Sequence, residues 1–192
     1  KVALRDVVGA PGAQTLVVPI AAGDAVELYA IDVEADGVRL RARTLVDRTR
    51  ALADVEIDGE AQLVGSVPAS TFAAVGDAAA VSVAADALGA APRALELTTE
   101  YVEQRKQFGV AVGSFQAVKH ACADMQVQIA VARQLVDAAV EAVAEHRDAS
   151  AVASMAKAYA CGKAVDIVGK AMQLHGGIGY TWESGVHVYL KR

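Results

Sequence analysis

The chain has 192 residues, 54% of them hydrophobic and 21% charged, so it is long enough for one domain or two small ones and too apolar for intrinsic disorder. Its formal net charge of −5 argues against a general nucleic-acid binder, which needs a basic excess. Two cysteines are too few for a disulfide framework, so a reducing, cytoplasmic location is expected.

The N-terminal residues do not have the form of a signal peptide. Because the sequence does not begin with methionine, Lys1 is not expected to be the natural start. No uninterrupted apolar run reaches the roughly 20 residues that a membrane-spanning helix needs, so no membrane partner is expected.

Residues 1–70 have the pattern of a small antiparallel β-sheet or partial barrel. Short runs of valine, leucine and isoleucine alternate with turn signals, and no strand is followed by a helical pattern of 10–15 residues, which argues against a parallel βαβ sheet. In Val38–Leu45, arginines alternate with apolar residues, which predicts a strand with a charged outer face. The predicted strands are Thr15–Ile20, Val26–Val33, Val38–Leu45 and Ala53–Ile57.

Residues 77–192 are rich in alanine and predict a bundle of antiparallel helices. The first helix runs from Asp77 to about Lys106, and Pro92 predicts a kink or a break within it. The second opens with Ser114 as its N-cap. The third begins near Asp148 or Ser150 and ends at Gly176–Gly177, and a shorter helix covers Ser184–Arg192.

Two short segments contain the candidate binding residues. Residues 105–109, RKQFG, close the first helix; the helix end accounts for the two cations but not for Gln107 and Phe108. An arginine, an amide and an aromatic ring together suit a nucleotide cofactor. Residues 176–179, GGIG, are either a helix C-cap or a turn whose bare backbone admits a large ligand. The four histidines lack metal-ligand spacing, so no metal is expected.

As a whole, the helical half resembles the C-terminal domain of the acyl-CoA dehydrogenase family. Four segments carry the resemblance, in the family's order and spacing: RKQFG at 105–109, SFQAVKHACADM at 114–125, MAKAYA at 155–160 and QLHGGIGYTWE at 173–183. The β half is similar, more loosely, to the second part of the family's middle β-domain. The expected fold is therefore α+β, with a partial β-domain over 1–70 and a bundle of the family's up-down four-helix type over 77–192.

The resemblance implies an FAD-dependent enzyme that removes hydrogen from the α and β carbons of an acyl-CoA thioester. It also implies a homo- or hetero-oligomer, dimer or tetramer, with FAD at a subunit interface and an electron-transfer flavoprotein as electron acceptor. Arg105 matches the position that contacts the FAD diphosphate, and residues 173–177 match the stretch that reaches the adenosine end. The expected FAD contacts are Arg105, Gln107, Phe108, Gln116, Gln173, His175, Gly176 and Gly177.

The sequence departs from the family at its catalytic positions. The family places a catalytic glutamate at one of two positions; one matches Ala79 here, and the other lies beyond Arg192. Ala80 stands where many members have a substrate-binding arginine. A methyl group cannot accept a proton, so Ala79 cannot be the base and no catalytic residue is assigned.

Two interpretations of this departure remain open. Either the chain is a piece of a complete enzyme whose base lies past Arg192, or it comes from a degenerate subunit of a hetero-oligomeric acyl-CoA dehydrogenase whose partner carries the base. Some bacterial members that act on steroid-side-chain thioesters resemble the second pattern. Other hypotheses are a non-catalytic interaction subunit and a related flavin oxidase or monooxygenase.

Overall fold

The computed structural model describes residues 1–192 and divides into two compact units, Lys1–Ala73 and Ala74–Arg192. The first unit is built of β-strands and the second of helices, so the predicted α+β class is confirmed. Each unit has its own hydrophobic core.

The first unit contains two three-stranded antiparallel sheets, ordered β1-β5-β4 and β2-β3-β6. Its core is apolar and includes Val18, Ile31 and Val55. The strands are β1 (Val2–Val8), β2 (Thr15–Ala22), β3 (Ala25–Asp32), β4 (Val38–Ala42), β5 (Leu52–Ile57) and β6 (Gln62–Pro68).

All four predicted strands are present, but β1 and β6 were not predicted. In β1 the register with β5 shifts between Leu4 and Val7, and Asp6 has a φ of 54°, so the alternation that reveals a strand is interrupted. In β6 a glycine and a terminal proline weaken the same signal.

The outer face of sheet β1-β5-β4 is charged, as the alternation in β4 predicts. Arg43 Nη1 lies 3.0 Å from Asp54 Oδ2, and the backbone N–H of Asp6 donates to Asp54 Oδ1 over 3.2 Å. The Asp6 amide, followed by the Arg43 guanidinium, lowers the pKa of the Asp54 carboxyl from its ordinary value.

The second unit contains three long helices and one short helix: α1 (Ala69–Gln104, whose first residues belong to the first unit), α2 (Gln116–Ala144), α3 (Ser150–His175) and α4 (Val186–Lys191). Many core residues at the helix contacts are alanines, among them Ala84, Ala132, Ala139, Ala153 and Ala156. Their small side chains allow the helices to approach one another closely.

Helix α1 begins earlier than expected, and of the two outcomes predicted at Pro92, a kink or a break, the break does not occur. It begins at Ala69 rather than at Asp77, and it continues through Pro92 without a break. An interior proline costs about 3 kcal/mol. Here the adjacent Ala91 and the following Leu95 are buried in the core, so packing on both sides of the proline offsets the lost hydrogen bond.

Helix α2 begins later than predicted. Ser114 is not its N-cap, because Phe115 occupies that position and Ser114 Oγ instead donates to the carbonyl of Ala111. Ser114 ends a short 3-10 turn, which follows a two-stranded hairpin formed by β7 (Lys106–Gln107) and β8 (Val110–Ala111).

Helix α1 contains an 18-residue window with a mean hydropathy of 1.4, of which 11% is buried. By length and composition alone, this helix is apolar enough to cross a membrane. The helix contains charged residues such as Asp77 and Asp86, so it is not an uninterrupted apolar run. A single helix of this kind is weak evidence, since a core helix of a soluble protein passes the same test.

Candidate functional site

A cleft of about 540 Å³ lies where the end of α1, the β7–β8 hairpin and the end of α3 meet. It brings together residues that are about 70 positions apart in the sequence. Six of the eight predicted site residues line it: Arg105, Gln107, Gln173, His175, Gly176 and Gly177.

Arg105 is the positive charge of the cleft. Its N–H donates to the carbonyl of Tyr101 over 2.9 Å, and its own carbonyl accepts from Val112 over 2.7 Å, so the backbone is fixed just after α1 ends. The side chain is exposed and its guanidinium makes no hydrogen bond or ion pair within the chain. All its donors are therefore available to an anionic ligand such as a phosphate.

The two glutamines of the cleft present opposite ends of their amide groups. Gln107 Nε2 donates to the carbonyl of Lys106 over 2.8 Å, which leaves its Oε1 as an acceptor. Gln173 Oε1 accepts from Lys170 Nζ over 3.3 Å, which leaves its NH₂ group as a donor. The cleft thus offers an amide donor and an amide acceptor in addition to the Arg105 guanidinium.

The glycines after α3 leave the backbone bare. Gly176 ends the helix with a φ of 65°, and a Cβ placed on Gly176 or Gly177 would have no atom within 4 Å. Gly179 differs, because a Cβ there would lie 2.4 Å from the carbonyl oxygen of Met172. The structure therefore supports both readings of this segment: Gly176 caps the helix, Gly179 allows close packing, and Gly177 leaves open space for a ligand.

Phe108 and Gln116 do not line the cleft. Phe108 and Gly109 form the two-residue loop of the β7–β8 hairpin, with φ values of 53° and 81°, as in a type I′ turn. The Phe108 ring is 94% exposed and meets Phe115 edge-on at 6.4 Å. Gln116 is the exposed first residue of α2. Their assignment as FAD contacts stays a prediction that requires a ligand to extend past the cleft.

Tyr101 lines the cleft and was missed in the sequence. It lies four residues before Arg105, whose N–H donates to its carbonyl, and both residues line the cleft. Its ring stacks on His175, with centroids 4.5 Å apart and planes 19° from parallel. No local pattern in the sequence identifies it, because its contact comes from another helix.

The position expected for the catalytic base lies far from the cleft. Ala79 is exposed on α1, and Ala80 packs against the helical core. From Ala79 to the end of α1 at Gln104 the distance is roughly 38 Å at 1.5 Å per residue. The alanines at these positions offer no proton acceptor.

Comparison with known proteins identifies the same family that the sequence motifs resemble. The family model described as acyl-CoA dehydrogenase, C-terminal domain, matches residues 77–192. The acyl-CoA dehydrogenase IpdE2 of Mycobacterium tuberculosis is 44% identical over 118 residues, covering 62% of this chain and 36% of that protein. The protein of the same name in Mycolicibacterium smegmatis is 36% identical over 157 residues, covering 82% of this chain and 47% of that protein. The chain thus spans less than half the length of both relatives.

The fold is also shared with solved structures. A variant of the Tcur3481-Tcur3483 steroid ACAD superposes with a TM-score of 0.87 at 28% sequence identity. The match covers 98% of this chain and 51% of that one. It therefore includes the β unit as well as the helical unit.

Proposed function

The chain belongs to the acyl-CoA dehydrogenase family, and on that premise we propose that it forms part of an FAD-dependent enzyme that dehydrogenates an acyl-CoA thioester between its α and β carbons. The observation that carries the proposal is the cleft at the end of α1, where an unpaired arginine, two amides and a bare glycine backbone converge. This set of groups fits the diphosphate and the polar edges of a dinucleotide.

The residues of the cleft have separate tasks in holding FAD. The guanidinium of Arg105 would bind diphosphate oxygens, and the free NH₂ of Gln173 and the Oε1 of Gln107 would orient polar groups beside them. The backbone at Gly177 allows close approach because no side chain intervenes. FAD bound there would supply the hydride acceptor for the β carbon of the thioester.

We further propose that the cleft binds FAD that is held mainly by a second subunit. The roughly 38 Å along α1 between Ala79 and the cleft support this, because the family's position for the base and the cleft lie at different ends of one helix. Phe108 supports it as well, since a ring that is 94% exposed at the tip of a hairpin is placed to contact another chain or its ligand.

The source of the proton acceptor is the third part of the proposal. Ala79 and Ala80 favour an assembly in which another chain or another segment supplies the base, because neither methyl group exchanges protons. A two-component assembly also suits the name of the steroid ACAD to which the chain is similar. Because that name includes the word steroid, a steroid-derived CoA thioester is the first substrate to test beside a straight-chain acyl-CoA.

Reconstitution tests the proposed function. The protein purified with its natural partner subunits should be yellow, and acyl-CoA should bleach the flavin and reduce an electron-transfer flavoprotein. Native mass spectrometry of the same sample gives the subunits present. An assembly that neither retains nor rebinds FAD would refute the proposal, and oxygen consumption in place of flavoprotein reduction would favour the oxidase alternative.

A further inference from the structure

Strand β4 has two arginines, Arg39 and Arg41, that no carboxylate of the chain neutralises. These β4 arginines are exposed and alternate with half-buried apolar residues, so both lie on the outer face of the sheet. Neither forms an ion pair, whereas the guanidinium of Arg43 lies 3.0 Å from the Asp54 carboxylate. Because β4 is also an edge strand, the two charges are accessible from the face and from the side of the sheet.

The β4 arginines line a groove of about 500 Å³ on the outer face of sheet β1-β5-β4, together with Arg5. The acids in this groove are Asp54 and Glu56 of the central strand. Asp54 is already paired with Arg43, and Glu56 forms no ion pair although it lies opposite Arg39 in the register. The groove therefore has an excess of positive charge, while the whole chain has a net charge of −5. A surface of this kind fits an acidic partner.

The last turns of helix α1 carry the complementary charges. Glu96, Glu100 and Glu103 follow one another at intervals of four and three residues, so they share one face of the helix, and all three are exposed. Glu96 is paired with Arg93, but the other two, the α1 glutamates, have no ion pair within the chain. Glu103 lies in the last turn, where the helix end repels negative charge and no basic residue is present. A cation from another molecule would relieve this repulsion.

We propose that two copies of this chain bind each other through ion pairs between the β4 arginines of one copy and the α1 glutamates of the other. The spacing of the charges agrees on the two surfaces. Residues two apart on a strand are separated by about 6.7 Å, and the Cβ atoms of residues three apart on a helix by about 5–6 Å. Two neighbouring guanidinium groups can therefore meet two neighbouring carboxylates.

A second copy is the partner that accounts for both surfaces. An acidic segment of another protein would use the β4 arginines but would leave the α1 glutamates without a cation. In a twofold-symmetric dimer the contact forms twice, because each β4 faces the α1 of the other copy. The inference goes beyond the proposed function and does not require FAD, so each can fail without the other.

Charge reversal on either surface tests the contact in the purified full chain without FAD. Sedimentation equilibrium measures the dissociation constant of the dimer. Arg39→Glu/Arg41→Glu and Glu100→Arg/Glu103→Arg should each raise it about ten- to hundredfold, because attractive pairs become like-charge contacts. Raising the ionic strength should weaken the wild-type dimer, since exposed ion pairs are screened by salt.

A mixture of the two reversed variants gives the most specific result. Each variant alone meets like charges at both contacts of the symmetric dimer. In a mixed dimer one contact is native and the other has its two charges exchanged, so both contacts are attractive. Native mass spectrometry of an equimolar mixture should therefore show mainly the mixed dimer, with a dissociation constant close to that of the wild type.

The control is Arg133→Glu/Lys157→Glu, which makes the same change in net charge as the arginine reversal, on exposed positions of α2 and α3, and should leave the dimer unchanged. Thermal unfolding checks that each variant folds. If a reversed variant does not fold, its neutral counterpart with glutamine at both positions replaces it and should raise the dissociation constant about three- to tenfold. A monomeric wild type, a dimer insensitive to these changes, or a mixture that forms no mixed dimer would overturn the inference.

Discussion

Ser150 Oγ donates a 2.8 Å hydrogen bond to Asp77 Oδ2, which joins the first residue of α3 to α1 across 73 residues of sequence. The backbone N–H of Ser150 also donates to Asp148 Oδ1 over 3.2 Å, so the start of α3 is fixed on both sides. The bond sets where α3 begins relative to α1, and α3 in turn places its C-terminal end at the cleft.

Removing this hydrogen bond should lower the stability of the protein slightly, and the loss should be specific to Ser150. Ser150→Ala is expected to lower the free energy of unfolding by about 0.5–1 kcal/mol, because the bond is exposed and water replaces it in part. Urea denaturation measures the change. Ser154→Ala, on an exposed position of the same helix, is the control and should have no effect of this size; equal losses in the two variants would contradict the assignment.

Arg105→Ala should weaken FAD binding without unfolding the helices. A charge-assisted hydrogen bond to phosphate contributes about 1.5–3 kcal/mol, so the dissociation constant should rise roughly 10- to 150-fold. Flavin retention during gel filtration and titration of the FAD-free assembly both measure it. Arg133→Ala removes an exposed arginine of α2 outside the cleft and serves as control; similar retention in both variants would remove Arg105 from the site.

The two glycines of the turn should separate folding from binding. Gly179→Ala places a Cβ 2.4 Å from the Met172 carbonyl, so it should destabilise the helical unit by about 1–3 kcal/mol. Gly177→Ala has open space in the structure and should leave the melting temperature unchanged while it lowers FAD affinity, because the added methyl group occupies the cleft. Unchanged FAD affinity of Gly177→Ala would show that no ligand approaches that backbone.

Phe108→Asn should reveal why an aromatic residue occupies a turn that disfavours it. The backbone of Phe108 is strained at its φ of 53°, because bulky residues rarely adopt positive φ values. Asn followed by Gly is the favoured pair for a type I′ hairpin. The variant should be as stable as the wild type or more stable by up to about 1 kcal/mol, yet bind FAD more weakly. Chemical denaturation and flavin titration are the two measurements. A clear loss of stability would mean that the edge contact with Phe115 outweighs the strain.

The lowered pKa of Asp54 predicts an acid-sensitive contribution to the β unit. A carboxyl whose folded pKa is depressed stabilises the fold fully above its unfolded pKa, and this contribution is lost as the pH falls through the folded value. The difference in unfolding free energy between the wild type and Asp54→Asn should therefore be constant near neutral pH and shrink below about pH 4. Asp36→Asn, at an exposed position of the same unit, should show no such change. A gap between the wild type and Asp54→Asn that persists at low pH would contradict the lowered pKa.

The sequence predicted those strands and helix ends that local residue patterns determine. The alternation of Arg39, Leu40 and Arg41 gave β4, and the glycine pair after His175 gave the end of α3. Where a single residue interrupts the pattern, the prediction was incomplete. Asp6 in a left-handed conformation concealed β1, and at Pro92, where the sequence predicts a kink or a break, the helix has no break.

In the candidate site too, residues within motifs were predicted, whereas contacts between distant parts of the chain were not. Arg105, Gln173 and Gly177 were predicted from motif positions, and the cleft brings them together. Tyr101 was missed because its role depends on a ring from another helix, 74 positions further along the chain, and no local pattern encodes that contact. The β7–β8 hairpin was missed because Phe-Gly is an uncommon pair for a two-residue loop.

The alanine-lined contacts between α1, α2 and α3 limit how this sequence can change during evolution. Ala84, Ala139, Ala153 and Ala156 are completely shielded from solvent. A larger residue at such a position would push two helices apart, and a glycine would loosen the helix that carries it. Homologous sequences should therefore diverge least at these four positions and fastest on the solvent side of the same helices, even though none of the four touches a ligand.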